Sequence, residues 1–321
     1  MIHAEACYAK LKRVHQLIRG RGVVRHLTRS ELAMRCLIPL TMAAHILTGS
    51  PVLACTVCIA YPEQTAADRL LQAKRVVLAR EDAERPFSYH PVELLIGPEM
   101  ERPIDLFVDS ATRRRLSISP DAAVVLVQSD DGKWRSLGFA RPPYLAVVRT
   151  VLARASDWSS DGGPQRRVEY FLTLFGHESR SIYELAYLEL ARAPYTTIKR
   201  LGNFVPREQL SRILDNTQYF EWRPLAILML AQSEDANDRR RLRESFRAAE
   251  RFRLATHLPA LAAAAIELDG DKAIAFIEDR YFRKADREPA ELDAVIKALS
   301  LHATEGRTDL SERIKAALET L

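Results

Sequence analysis

Cys55-Thr56-Val57-Cys58 is the cysteine pair whose spacing could do chemistry. In an oxidising compartment such a pair can close a disulfide, exchange with other thiols or supply half of a tetrahedral metal site. Covalent haem is excluded, because Ile59 stands where the haem-binding histidine would follow the second cysteine. Thioredoxin-type exchange is disfavoured by position, since that pair opens a helix after a strand inside a βαβ unit. A four-ligand zinc site needs two more donors, and His90 and His177 qualify by residue type alone. A structural disulfide or a covalent attachment point is the plainer expectation for Cys55 and Cys58. Two arginine triplets, Arg113-Arg114-Arg115 and Arg239-Arg240-Arg241, could grip phosphates or acidic partners, or simply be solvated. Tyr219, Phe220 and Trp222 cluster near a junction between helical units, where they would pack between units or, if exposed, mark a recognition surface. His177 follows Gly176 at a helix turn, a capping position. The sequence has no glycine-rich phosphate loop, no paired-histidine zinc helix and no nucleophile elbow. No cofactor is expected.

Charge placement separates the N-terminal stretch from the rest. The chain of 321 residues carries 47 Lys/Arg and 42 Asp/Glu. Eight of those bases and two of those acids lie in residues 1–54, which leaves 39 and 40 for residues 55–321. A body so close to neutral has no general electrostatic reason to bind nucleic acid. Cys36 to Leu47 follows Arg35 and is apolar apart from Thr41 and His45; Gly49-Ser50-Pro51 and then Val52-Leu53-Ala54 follow it. A basic flank, a short apolar core and a small-residue exit predict a secretory signal over 1–54. The core is too short for a membrane anchor, which takes about 20 apolar residues. Met34, directly before Arg35, would also serve as the start of a compact signal, with 1–33 outside it. Val52-Leu53-Ala54-Cys55 resembles a bacterial lipoprotein processing box, which would make Cys55 a lipid attachment site and tether the body to a membrane. Without lipid the body would be free in the periplasm or outside the cell.

Residues 65–80 read as a short helix followed by a buried strand, Val76-Val77-Leu78-Ala79. Further strands are expected over 91–96, ending at Gly97-Pro98, and over 104–108, 122–128 and 133–139. Asp130-Asp131-Gly132 makes the last two a hairpin. Five short strands separated by Gly, Pro and Asp predict a small barrel or sandwich over 55–142. From Tyr144 the period becomes helical, with Leu145, Val148, Leu152 and Ala155 on one face and Trp158 closing the segment. The connecting region is 143–164, with Ser159 to Pro164 as its linker.

Beyond Pro164 nearly everything reads as paired helices. Small-residue-rich helices end near Gln232, Leu268 and His302, and each leads through a polar turn into a second helix. Spacings of 36 and 34 residues, each built from two helices, are the mark of an α-solenoid. Ser181 to Pro194, with Ile182, Glu184, Ala186 and Leu190, resembles a HEAT-repeat helix, and the resemblance extends over residues 165–321.

Cys55-Thr56, Pro62, Gln64-Thr65-Ala66 and Ala73-Lys74 before Val76-Val77 resemble the opening of netrin-like domains, among them the tissue inhibitors of metalloproteinases. That resemblance implies an oligonucleotide-binding-type β-barrel. It also implies that the amine and carbonyl of Cys55 reach a target enzyme's zinc. The sequence departs from the family in separating its cysteines by two residues instead of one and in lacking the remaining disulfide frame. The expectation is thus an α+β multidomain chain, a small β-barrel followed by an α-solenoid of HEAT-like helix pairs. It would act as an exported, non-catalytic envelope scaffold for a protein partner. Thiol or metal handling through Cys55 and Cys58, and metalloprotease inhibition through Cys55, are the alternatives.

Overall fold

The computed structural model describes residues 64–100, 103–119 and 121–321. The segment read as an export signal and the pair Cys55 and Cys58 lie outside the described residues. The first element, α1 (Ala66–Leu71), is held at its start by a capping box in which Thr65 accepts from the Asp68 backbone and Asp68 accepts from that of Thr65. Five antiparallel strands follow: β1 (Arg75–Glu81), β2 (Ser88–Ile96), β3 (Ile104–Phe107), β4 (Val124–Gln128) and β5 (Trp134–Phe139). A helix, α2 (Ser110–Ile118), lies between β3 and β4. The order across the sheet is β3-β2-β1-β4-β5, and the sheet curls into a half-barrel. Register shifts at Val76/Val77, Leu78/Ala79, Ser88/Tyr89 and Val125/Leu126 supply the curl, because a bulge bends its strand and deepens its twist.

β1 and β4 are continuous apolar runs because both of their faces are covered. Val77, Ala79, Val124 and Leu126 point into the half-barrel, where they meet Tyr89, Ile104, Trp134 and Leu116 of α2. Val76, Leu78, Val125 and Val127 point outward into a second, larger core shared with the helices. α3 (Pro142–Ala153) lies on that outer side and buries Tyr144, Val147, Val148 and Val151. The stripe differs from the Leu145/Val148/Leu152 face read from the sequence, and those two leucines are half-buried at its margin. Tyr144 decides the rotation. Its hydroxyl donates to the Leu137 carbonyl at 3.1 Å, which turns its side of the helix toward the sheet.

Ser159 to Pro164, read as a linker, makes a tight turn. Gly163 packs so closely that a Cβ there would lie 2.2 Å from the Trp158 carbonyl oxygen. Arg166 closes the turn by donating to Asp157 at 2.8 Å and to the Ser160 hydroxyl at 2.7 Å. An ion network then ties α1 to the helices. Arg167 lies 2.7 Å from Asp68 and 2.8 Å from Glu189, Arg192 also reaches Asp68, and the Thr65 hydroxyl donates to Glu189. Burial would raise the Asp68 pKa, but the Thr65 backbone and the two guanidinium groups outweigh it and hold the carboxyl below its usual range.

The helical part comprises α4 (Ala155–Trp158), α5 (Gly163–Thr173), α6 (Arg180–Ala191), α7 (Tyr195–Gly202), α8 (Arg207–Asp215), α9 (Arg223–Leu230), α10 (Ala236–Arg251), α11 (Leu258–Asp269), α12 (Asp271–Ile277), α13 (Pro289–Thr304) and α14 (Ser311–Leu318). The three junctions anticipated from the sequence are the hairpins α9/α10, α11/α12 and α13/α14. Their first helices are neighbours and carry much of the buried core; Ala260 and Ala262 to Ala265 are buried in α11, where small side chains permit close approach. α7 covers these central helices from another side. Lys199 reaches Glu267 of α11 at 2.7 Å, and the Tyr195 ring meets that of His302 in α13 at 5.4 Å. Among the described residues, no helix is long and apolar enough to cross a membrane.

Candidate protein-docking groove

The aromatic trio singled out by sequence is divided by the fold. Trp222 is buried, with its ring 4.7 Å from Tyr187 and 6.2 Å from Tyr183, and Tyr219 stands 4.9 Å from Tyr183. Phe220 turns the other way and is 46% exposed, lying 4.5 Å from the ring of His257 with Arg223 over it. Both arginine triplets are largely spent on their own surroundings. Arg239 donates to the Ser233 carbonyl, Arg240 to Asn237, and Arg241 to Asp215. Arg113 pairs with Glu81 at 2.8 Å and covers Phe87, whose ring stacks on Phe107 at 5.3 Å; Arg115 covers Phe139. His177 makes a local turn contact and no helix cap: its Nδ1 accepts from the Ser179 backbone at 2.9 Å, just before α6. His90 lies on the exposed side of β2. Among the described residues no group of His, Cys, Asp and Glu could hold a metal ion.

A concave surface lined by aromatic and basic side chains lies between α10 and α12. α10 starts at Asp235, whose carboxylate accepts from the Asn237 backbone at 2.8 Å and from that of Asp238 at 3.3 Å. Leu242, Phe246 and Ala249 recur at helical spacing and fix its buried face. Arg243, Arg247 and Arg251 follow one another four residues apart beside that face. α12 presents Lys272, Ala273 and Phe276, and the π-helical turn that extends it presents Arg280. Two adjoining depressions, of about 270 Å³ and about 800 Å³, share Arg247 and Phe276 as common walls. Phe246 and Phe276 stand 5.3 Å apart at 57° and, with Ala265 and Ala273, make the apolar side of the smaller one. Phe252, 65% exposed, lines the larger.

The electrostatics of the groove follow from which acids are already paired. Asp269 takes a two-pronged grip from Arg243, at 2.7 to 3.0 Å. Glu250 is held by Arg287, which also reaches Glu291 at 2.8 Å and lies over Tyr281. Asp279 lies 3.3 Å from Arg280, and Glu244 lies 3.9 Å from Arg240. Arg247, Arg251 and Lys272 are exposed and have no acidic partner among the described residues. The arrangement therefore combines aromatic and alanine surface with unpaired cations, which can hold an apolar side chain and nearby carboxylates. None of these residues was singled out by sequence, although α10 was expected as a helix. The signal present was the four-residue arginine spacing; the second wall comes from the next hairpin and becomes visible only after packing.

Comparison with protein-family descriptions, curated proteins and solved structures finds no match to this chain.

Proposed function

We propose that this chain is an exported, non-catalytic scaffold that holds a protein partner on its helical array. The observation that carries the reading is the α10–α12 groove, where aromatic surface is open and three cations are left without acids. Recognition surfaces combine buried aromatic anchors with arginine, and serial helix hairpins offer extended faces for them. The three consecutive hairpins support a HEAT-like repeat unit. The strand order, with α2 inserted between β3 and β4, supports an oligonucleotide-binding-type half-barrel as the other unit. The N-terminal basic flank and apolar core support export, with Cys55 as the first residue of the body and the point of lipid attachment where that occurs.

Two measurements test the reading. The mass of the native chain reports cleavage before Cys55 and any acyl group on it; an uncut chain in the cell interior would overturn export. Affinity capture from envelope extracts with the full mature chain reports the partner, and retention of none would overturn the scaffold.

A further inference from the structure

We infer that the α10–α12 groove receives a short acidic helical segment of the partner, with two carboxylates one turn apart on Arg247 and Arg251 and an apolar side chain against Phe276. The inference rests on the scaffold reading and deepens it by stating the partner's chemistry. Arg247 and Arg251 are four residues apart, so they rise about 6 Å along α10. Carboxylates at i and i+4 on a docked helix have the same rise, so each would meet one guanidinium. Arg243 continues the row but already grips Asp269, which fixes two as the number of free guanidinium groups on that wall. Lys272 provides a third cation from the opposite wall.

Like charges four residues apart on a helix repel one another, and of Arg243, Arg247 and Arg251 only Arg243 is paired with an acid among the described residues. An incoming pair of carboxylates removes that repulsion, and the exposed ring of Phe252 and the half-buried ring of Phe276 offer apolar surface to its neighbour. An amphipathic helix laid in a groove uses this combination of anchors. A nucleic acid or other polyanion fits less well. Glu244, Glu250 and Asp269 line the same depressions, and the row of three arginines spans only about 12 Å.

The test uses the mature chain and four fluorescent probes read by anisotropy. These are a 12-residue peptide of repeated Glu-Glu-Leu-Leu, its Lys-Lys-Leu-Leu counterpart, an oligoglutamate of equal length and a heparin fragment. The Glu-Glu-Leu-Leu peptide is expected to bind at least tenfold more tightly than the other three. R247E/R251E should weaken it at least tenfold with an unchanged far-UV spectrum, because both side chains are exposed. Reversal of Arg114, on α2 of the half-barrel, should leave it unaltered. Equal binding of oligoglutamate or heparin would overturn the inference in favour of a general polyanion site, as would indifference to R247E/R251E. Envelope capture separates the two levels. A partner retained equally by wild type and R247E/R251E defeats the acidic-segment inference and leaves the scaffold standing, whereas retention of nothing by wild type defeats the scaffold.

Discussion

At the residue scale, two neighbours in the sequence do opposite jobs. Trp222 fills a ring cluster with Tyr183 and Tyr187, while Phe220 lies on the surface against His257. Trp222→Ala should cost about 3–5 kcal/mol, the range for emptying a buried aromatic site, and Phe220→Ala about 1 kcal/mol or less; urea unfolding compares them. His302 is fully buried. Its Nε2 meets the Ala263 carbonyl at 2.8 Å and its Nδ1 accepts from the Arg307 backbone at 3.2 Å, so both nitrogens are used by the neutral ring. Burial, aided by Lys199 and Arg307, outweighs the Ala263 carbonyl and Glu267 and pushes its pKa down to about 4. The unfolded ring takes up its proton near pH 6.5, so stability from this site is complete above that pH and lost as pH falls toward 4. The loss should be about 2 kcal/mol between pH 6.5 and pH 5. Denaturant titrations of wild type and His302→Gln at both pH values read it, and an equal slope in both would remove His302 as the cause.

At the element scale, the strands were legible because apolar runs end at Gly97-Pro98 and Asp130-Asp131-Gly132, where the chain must turn. The hairpins were legible because their first helices carry small residues and a short polar turn containing Asp or Gly leads into each second helix. α2 had no counterpart in the sequence reading. Arg113-Arg114-Arg115 dominates it, and its main cue was Asp109, whose carboxylate accepts from the Ala111 and Thr112 backbones. The face of α3 was misjudged because apolar residues occupy two adjacent stripes, and a hydroxyl-to-carbonyl bond chooses between them. The supposed linker was misjudged because Gly162-Gly163 reads as freedom, whereas Gly163 is there for close approach to Trp158. Gly163→Ala should therefore destabilise by about 1–3 kcal/mol, with a lowered melting temperature as the readout. No change would mean that the turn yields without cost.

At the scale of the whole molecule, the outer face of the half-barrel and the helices share one hydrophobic core, and the α1 ion network clasps them. Glu189→Ala would strand Arg167 with half its partners and leave the Thr65 hydroxyl unanswered, a loss of about 3–5 kcal/mol measurable by calorimetry. The depressed Asp68 carboxyl adds stability that is present above its unfolded pKa and fades as pH falls through the lower folded value. None of this was readable beforehand, because Asp68, Arg167 and Glu189 are brought together across about a hundred residues. The groove was hidden for the same reason. Its cations lie in two hairpins, and which of them remain unpaired depends on Asp269 pairing with Arg243 and Glu250 with Arg287.

The central claim is that the α10–α12 face holds another protein. A photo-reactive residue placed at Ala248, which lines the larger depression beside the arginine row, with matched placements at Arg114 and Lys297, tests it most directly in native cells. Position 248 is expected to yield one discrete protein adduct that the other two placements do not. Adducts of equal yield at all three positions, or none at 248, would contradict it.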